Sequence, residues 1–522
     1  MTGKNQQIVM IGICAGDRDL IEQWTGEGRL PHIGRLLKEG LTVPTQGLPG
    51  LYAGAHWPSF ITGCSPATNR VHSWEQIRPG TYEMYRCKAG EQIRRPQFWD
   101  LLSAAGKRVC VLDVPHSRIT GPLNGVQVIE WGAHDSAYGF QTSPRALSRD
   151  ILARHGRHPV SGHSDADRTL EELDAFGDTL VRGAQMKGRL SEDFIQREKW
   201  DFFAQVFTEA HCGGHLLWHT HDPAHPAHEA ARDAGIGDRL RDIYEAIDDG
   251  IGRILAHVDE DAMVMLVANH GIGPKYAPQF MIQDILLAMG VSVPAERRQP
   301  APSLSDRIDP YVTRTWQSLP DSLRQILQPV RNRLRSVEYA EVVPPPKINR
   351  AASLCFPVQN NTAHGGIRVN LKGREPNGQV APGAEYEEFL DRLSREFLSI
   401  VNCDTGRPIV RQVYRADDLY QGPERDHLPD LMIDWANDEP LTAISSNSMG
   451  RLTVDNSLCR TGDHRPGGMV VVRGPGIRPG VLDRTHTCID FSPTICALLG
   501  VDLPDVDGTA VPELLDAALA DA

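Results

Sequence analysis

Histidines are concentrated in one short stretch of this 522-residue chain. The segment FTEAHCGGHLLWHTHDPAHPAH, residues 207–228, contains six of the twenty histidines. His211 and His215 are four residues apart, a spacing that places both imidazoles on one face of a helix and predicts that they bind one metal ion. His219 continues this series, whereas the two prolines that follow favour a loop. The remaining histidines of the segment are predicted to lie in that loop and not to bind metal: His221, His225 and His228.

Other residues capable of chemistry lie next to strand-like runs. Cys14 ends the apolar run QIVMIGIC, and Asn269 and His270 follow the run MVMLVA. Asp463 and His464 come shortly before the run GMVVVRG. In an open parallel sheet, ligands bind beyond the carboxyl ends of the strands. These residues are therefore candidates for the same site as the histidine pair.

The elements that must position these residues follow an α/β pattern. Residues 7–14 form a continuous apolar run suited to a strand buried on both faces. Similar runs recur at 108–115, 262–269, 430–435 and 468–474, with helix-like stretches between them. The alternation predicts a doubly wound, mostly parallel sheet flanked by helices on both faces.

Two segments interrupt this alternation and are interpreted as insertions. Residues 140–206 are polar and predicted to be helical. Residues 291–350 are rich in proline and arginine and would form a solvated excursion, a lid or an oligomer contact. Residues 1–290 and 351–522 are then the two parts of one α/β domain.

Composition excludes several classes of partner. The net charge is −13 and the sequence pI is about 5.9, without a basic run interleaved with aromatic residues, so a nucleic-acid surface is not expected. No stretch approaches the ~20 apolar residues of a membrane span, and the N-terminus carries no signal-peptide pattern. The ten cysteines are scattered, which does not suggest a disulfide framework. We expect a cytoplasmic protein that binds neither nucleic acid nor membrane.

Several stretches in a fixed order resemble a known family. They are IGICAGDRDLIEQW, WPSFITGCSPATNRVHSW, EAHCGGHLLWH, NHGIGP, DHRPGGMVVVRGPGI and IDFSPTICALLGVDLPDVDG. Together they resemble the type I phosphodiesterase/nucleotide pyrophosphatase group of the alkaline phosphatase superfamily over nearly the whole chain, and residues 365–387 resemble a segment of bacterial members. The resemblance implies a doubly wound sheet that carries two metal ions, usually zinc. It also implies a Thr, Ser or formylglycine nucleophile that attacks a phosphoryl or sulfuryl centre.

One metal site of the family is retained in altered form. The family pattern Asp-x-x-x-His matches His211 and His215, with histidine in place of aspartate, and the family's late histidine matches His464. Three imidazoles can hold zinc or another borderline divalent metal and leave a position open for water or substrate. Glu209 or Asp463 would be a further ligand or would orient an imidazole.

The other metal site departs further from the family pattern. Cys14 stands where the family has a ligand aspartate, and Asn269 replaces the aspartate of its Ser-Asp-His-Gly motif. His270 is unchanged. The resemblance thus implies a second site of Cys14, Asn269 and His270, in which a thiolate and a neutral amide replace two carboxylates.

The nucleophile of the family is missing. It lies four residues before a tryptophan that matches Trp57, and this places Ala53 at its position. Ser59 matches a family serine that is not the nucleophile. The family's following His-Gly pair is replaced by Asn69 and Arg70. A mechanism through a covalent phosphothreonine is therefore not expected.

Three functions follow from these residues. The favoured one is hydrolysis or transfer of a phosphate or sulfate (di)ester by metal-bound hydroxide, with Arg70 and Arg465 offering positive charge to an anionic small molecule. The second is redox or other Lewis-acid chemistry on a specialised metabolite at one histidine-rich site. The third is a pseudoenzyme that binds an anion or a protein. Zinc is the favoured metal, with iron, manganese and copper as alternatives, and a homo-oligomer is compatible with the sequence.

Overall fold

The computed structural model describes residues 7–51, 53–88, 92–133, 137–160, 168–276, 281–295, 347–360, 364–454 and 460–520. Most of the proline- and arginine-rich segment at 291–350 lies outside this set, so its interpretation as a lid or oligomer contact stays a prediction. None of the helices in the described part of the chain is both long and apolar enough to cross a lipid bilayer.

The described strands and helices are numbered here in chain order. The strands are β1 Ile8–Ile13, β2 Leu41–Gln46, β3 Glu75–Ile77, β4 Met84–Arg86, β5 Val109–Leu112, β6 Gly125–Ile129, β7 Gln141–Ser143, β8 Phe202–Phe207, β9 Met263–Ala268, β10 Gly271–Pro274, β11 Cys355–Val358, β12 His364–Val369, β13 Val401–Asn402, β14 Val410–Arg415, β15 Leu431–Trp435, β16 Ala443–Ser446, β17 Gly450–Thr453, β18 Gly462–Arg465, β19 Gly468–Arg473, β20 Gly480–Val481 and β21 His486–Thr487. The helices are α1 Arg18–Gly26, α2 Pro31–Glu39, α3 Ala53–Thr62, α4 Pro66–Asn69, α5 Phe98–Ala104, α6 Leu147–Arg154, α7 Leu170–Arg197, α8 Glu209–His221, α9 His228–Asp233, α10 Arg239–Leu255, α11 Ile282–Ala288, α12 Ala384–Leu398, α13 Ala416–Leu419, α14 Phe491–Leu498 and α15 Pro512–Ala520.

A ten-stranded sheet forms the centre of the described structure. Its middle is parallel, in the order β9, β1, β8, β5, β6. Strand β19 joins this core antiparallel to β9 and links it to β2. The mostly parallel, helix-flanked α/β sheet that the sequence predicts is therefore confirmed.

Apolar residues of β1 explain why helices cover both faces of the sheet. Val9, Ile11 and Ile13 belong to one core cluster, which contains residues of α1, α2, α7, α8 and α10. Ile8 and Met10 point into a second cluster, which contains residues of α3, α5 and α14. Since neighbouring strand residues face opposite sides, a fully apolar strand has to be covered twice.

A second, antiparallel sheet corrects one strand prediction. The run at 430–435 forms β15, but β15 pairs with β12 and β14 and not with the central sheet. With β11, these strands and α12 enclose a core cluster of their own. Part of residues 351–522 thus builds a separate layer before β19 returns to the central sheet.

The segment at 140–206 is not an insertion along its whole length. It contains α6 and α7, and α7 begins at a capping box in which Thr169 and Glu172 satisfy each other's backbone N–H groups. Its last residues, however, belong to β8, which pairs with β1 on one side and β5 on the other. The prediction of an insertion up to residue 206 is wrong at this end, because the apolar run of Phe202–Phe207 is a central strand.

Candidate metal centre

Three neighbouring strands deliver the candidate ligands to one edge of the sheet. Ile13, Phe207 and Ala268, the last residues of β1, β8 and β9, are aligned in register. Cys14 follows β1 directly, and Asn269 and His270 follow β9. Helix α8 starts shortly after β8. The carboxyl edge of the sheet therefore collects these side chains, as the topology rule requires.

Helix α8 approaches the antiparallel strand pair β10 and β18 closely because two contact positions are glycine. A Cβ atom on Gly214 would overlap the side chain of Ile272, and one on Gly462 would overlap the carbonyl oxygen of Gly214. Ile272 pairs with His464 in the β10–β18 register. Without side chains at these glycines, α8 can lie against β18 and bring its imidazoles next to His464.

The first group of candidate ligands is formed by His211, His215 and His464. One ligand atom from each of the three side chains lies within 4.8 Å of the others, and all three residues are buried. The Nδ1 atom of His215 lies 2.9 Å from the carbonyl oxygen of Gly462. An Nδ1–H group that donates to this carbonyl leaves Nε2 with the lone pair that a metal needs. The donor set and this orientation fit a borderline divalent metal.

Asp463 lies beside two of these imidazoles. Its Oδ1 atom is 3.5 Å from His464 Nδ1 and 4.0 Å from His215 Nδ1. Burial opposes the charged carboxylate, but the hydrogen bond from His464 and the nearby positive charges outweigh burial and hold the pKa of Asp463 well below its usual range. A carboxylate in this position is a neighbour that orients ligand histidines and raises their basicity.

Asp463→Asn is therefore expected to weaken metal binding about 10- to 100-fold while leaving the three imidazoles in place. Competition with a chelating indicator would measure the dissociation constant. Asp222→Asn is a suitable control, since this carboxylate accepts from the Trp218 indole at the far end of α8. Equal affinities of Asp463→Asn and the unchanged protein would exclude the orienting role.

The second group contains Cys14, His211 and His270. One ligand atom from each lies within 4.8 Å of the others. Cys14 Sγ is 3.5 Å from His211 Nδ1 and accepts a hydrogen bond of 3.2 Å from Trp57 Nε1. The third ligand predicted from the sequence was Asn269, and the structure adds His211. Asn269 is also buried, and neither atom of its amide has a hydrogen-bond partner among the described residues.

Sequence reasoning missed one further histidine of the centre. The Nδ1 atom of His56, on α3, lies 3.3 Å from His270 Nδ1. Burial, with a smaller contribution from His464, lowers the pKa of His56 to about 3, so the ring is neutral near pH 7. Ala53 at the nucleophile position is the first residue of the same helix. A histidine inside the apolar stretch AHWPSF gave no signal beyond that of a buried core residue.

The later histidines of the 207–228 segment make other contacts. Helix α8 extends through His221, so this residue is helical and not in the predicted loop, and His228 begins α9. None of them belongs to either described ligand group. Their Nδ1 contacts are His219 to Thr461 Oγ1 at 3.0 Å, His221 to Asp238 Oδ2 at 2.8 Å, His225 to the amide of Ala227 at 3.1 Å and His228 to the carbonyl of His219 at 2.8 Å.

The two arginines predicted to meet the substrate already have acidic neighbours. Arg465 donates to both carboxylate oxygens of Asp17, at 2.7 and 2.6 Å, and to Asp19 at 2.7 Å. Arg70 Nε lies 3.9 Å from Glu424 Oε2, and its side chain is 17% exposed. The charge of Arg465 is thus largely balanced within the protein, whereas Arg70 has a longer ion pair, with Glu424.

Both candidate ligand groups lie at the carboxyl edge of the central, mostly parallel α/β sheet. The chain belongs to the type I phosphodiesterase/nucleotide pyrophosphatase family, whose profile matches residues 8–464. The family depends on metal ions, and the described residues contain two histidine- and cysteine-containing groups that could hold them.

Two solved structures align with nearly the whole chain at low sequence identity. Phosphonoacetate hydrolase from Sinorhizobium meliloti 1021, in complex with phosphonoformate, is 12% identical with a TM-score of 0.50, covering 99% of this chain and 96% of that one. Human ectonucleotide pyrophosphatase/phosphodiesterase 5 is 10% identical with a TM-score of 0.47, covering 97% of each chain. No curated protein matches the sequence. The proteins of the matched family are hydrolases.

Proposed function

We propose that this protein is a metal-dependent hydrolase that cleaves a phosphate or sulfate ester without a side-chain alcohol as nucleophile. The observation that carries the proposal is the convergence of His211, His215 and His464 within 4.8 Å at the carboxyl edge of the sheet. The family profile supports phosphoryl chemistry at this place. Ala53 at the start of α3 supports a mechanism that needs no threonine or serine.

When bound, a divalent metal supplies Lewis acidity that lowers the pKa of water from about 15.7 toward 7 and offsets negative charge on the ester. His211, His215 and His464 would hold the ion. The carbonyl of Gly462 fixes the ring of His215, and the carboxylate of Asp463 supports the charge of the centre. The side chains of His211, His215, Asp463 and His464 are all buried, which limits competing water and strengthens electrostatic interactions.

The substrate proposed for this centre is an anionic small molecule. A phosphate or sulfate ester carries negative charge, and a guanidinium binds such oxyanions through two parallel hydrogen bonds. Arg70 is the residue that we assign to this contact, since Arg465 is held by Asp17.

A second candidate function is redox or other Lewis-acid chemistry. It is favoured by the thiol of Cys14, which lies beside His211 and replaces a hard carboxylate ligand of the family. Sulfur and imidazole ligands suit copper and iron as well as zinc. The identity of the native metal separates the two functions.

The test is elemental analysis of protein purified without chelator or added metal, followed by assays on aryl phosphate monoesters, aryl phosphate diesters and aryl sulfates. Zinc together with metal-dependent hydrolysis is the expected result. The double variant His211→Ala plus His215→Ala should lose both the metal and the activity. The matched control, His225→Ala plus His228→Ala, removes two imidazoles from the same segment and should keep both.

Other outcomes would redirect the assignment. Iron or copper without hydrolysis of any ester would favour the redox function. Absence of metal from the protein as purified, together with failure to bind added zinc, would exclude both enzymatic functions and leave a protein that binds an anion or another protein.

A further inference from the structure

His211 occupies a special position, because it is the one member common to the two ligand groups among the described residues. One group combines it with Cys14 and His270, the other with His215 and His464. Its ring centroid lies 4.7 Å from that of His215 and 4.8 Å from that of His464. The ring of His270 lies farther away, 6.5 Å from that of His211 and 4.8 Å from that of His464, so His211 meets the second group through its contact with Cys14.

The contact with Cys14 indicates which ring nitrogen of His211 would bind a metal in each ligand group. Cys14 Sγ and His211 Nδ1 are 3.5 Å apart. In a tetrahedral zinc site with a Zn–S bond of about 2.3 Å and a Zn–N bond of about 2.05 Å, the sulfur and nitrogen ligands are about 3.6 Å apart. The observed separation fits a shared metal as well as a hydrogen bond between the two side chains, and a metal held there would take Nδ1 of His211 for the group of Cys14 and His270.

Each ring nitrogen of histidine has a single lone pair for a metal. When Nδ1 serves the Cys14 group, the bond to a metal in the His215 and His464 group has to come from Nε2. A neutral imidazole carries one N–H proton, which passes to solvent when both nitrogens bind metal. The ring is then an imidazolate with one negative charge.

We propose that His211 bridges two metal ions, one held with Cys14 and His270 and the other with His215 and His464. This inference rests on the proposed metal dependence but not on the reaction. The bridging imidazolate restores one of the negative charges that are absent because histidine and asparagine replace family aspartates.

The donor atoms also select the kind of metal. A thiolate with two imidazoles favours zinc, cobalt or copper over magnesium or manganese, which prefer oxygen ligands. The indole N–H of Trp57 donates to Cys14 Sγ at 3.2 Å, which holds the sulfur in place at the end of β1. His56 contacts His270 and helps to orient it. We therefore expect both ions to be borderline or soft metal ions such as zinc, cobalt or copper.

Titration of the metal-free full chain with Co²⁺ tests the bridge through two measurements, the number of cobalt ions bound per chain and the absorption spectrum of the bound cobalt. The unchanged protein should bind two equivalents and show a thiolate-to-cobalt charge-transfer band in the near ultraviolet. Cys14→Ser should bind one equivalent without that band, and His464→Ala one equivalent with it. His211→Ala should lose both equivalents, because it removes a ligand from each ion.

Cys64→Ser is the matched control, because this buried thiol lies outside both groups and contacts the carbonyl oxygens of Thr62 and Asp505. It should retain two equivalents and the band. Far-ultraviolet circular dichroism checks that each variant is folded, and His211→Gln replaces His211→Ala if the alanine variant has lost helix.

Two results would overturn the bridge. One is an equivalent of cobalt retained by His211→Ala, which would mean independent sites. The other is a single equivalent without the charge-transfer band in the unchanged protein. If the protein still hydrolysed an ester in a metal-dependent manner, either result would refute only the bridge and not the proposed function. Conversely, the protein could bind two equivalents of cobalt, lose both in His211→Ala, and hydrolyse no ester. That result would refute the proposed hydrolase function and would still support the bridge.

Discussion

Replacing Lys187 by methionine is expected to lower the free energy of unfolding by about 3–5 kcal/mol. The Lys187 ammonium is fully buried, 3.6 Å from Glu209 Oε1 and 3.7 Å from Asp113 Oδ2. Burial opposes the charged form of Glu209, but Lys187 and His158 outweigh it and lower the pKa of this carboxyl group. Without the cation, two carboxylates would remain buried with much less compensation.

Urea unfolding of the full chain measures this effect. Lys199→Met is the control, because the Lys199 side chain is 97% exposed and its substitution should leave stability unchanged. The double variant Lys187→Met plus Glu209→Gln should cost less than the sum of the single changes, since it removes both charges of the pair. A loss below about 1 kcal/mol for Lys187→Met would place this pair among ordinary surface ion pairs in strength and refute the argument.

The same ammonium positions the helix of the metal centre. Lys187 Nζ donates to the carbonyl oxygen of Val206 at 3.1 Å and to Thr208 Oγ1 at 2.9 Å. Both acceptors lie where β8 ends and α8 begins. Glu209, which the sequence offered as a ligand or as a partner of one, instead faces Lys187 and His158. The ion pair therefore anchors the start of the helix that carries His211.

The sequence predicted the fold where local pattern and tertiary role agree. The continuous apolar runs of β1 and β9 have no polar face, which indicates strands covered on both sides, and the structure places them at the centre. The run of β15 is also mostly apolar and buried, although it contains Asp434, and its pattern did not reveal that it pairs in another sheet. Strand β8 was missed because it directly follows a long polar helix.

The candidate site was predictable to the extent that ligands follow from spacing or from strand ends. His211 and His215 do lie on one helix, and Cys14 and His270 lie at the edge that the topology rule selects. The double role of His211 was not predictable, because it depends on the packing of α8 between β1 and β18. The same holds for His56, whose contact with His270 joins residues 214 positions apart.

Removing the imidazole of His464 should lower kcat/KM for ester hydrolysis roughly 1000-fold, equivalent to about 4 kcal/mol of transition-state stabilisation. The reason is that His464 is the one member of this group supplied by the β10–β18 strand pair, and its loss would leave only the two imidazoles of α8 to hold the ion. The measurement is kcat/KM of His464→Ala on whichever aryl ester the unchanged protein hydrolyses, with zinc added to saturation.

His219→Ala is the control for His464→Ala. It removes a buried imidazole that is not a candidate metal ligand, so it separates the effect of losing a ligand from the effect of losing a buried ring. His219 is buried one turn after His215 on α8, and its Nδ1 contacts Thr461 and not the ligand group. Burial, with smaller contributions from His225 and His228, lowers the pKa of His219 to about 4, so its removal deletes a neutral ring near pH 7. Activity within tenfold of the unchanged protein is expected for this control. If His464→Ala were equally active, the hydrolysis would have to be assigned to the Cys14 and His270 side of the centre, because that side would then supply the Lewis acid.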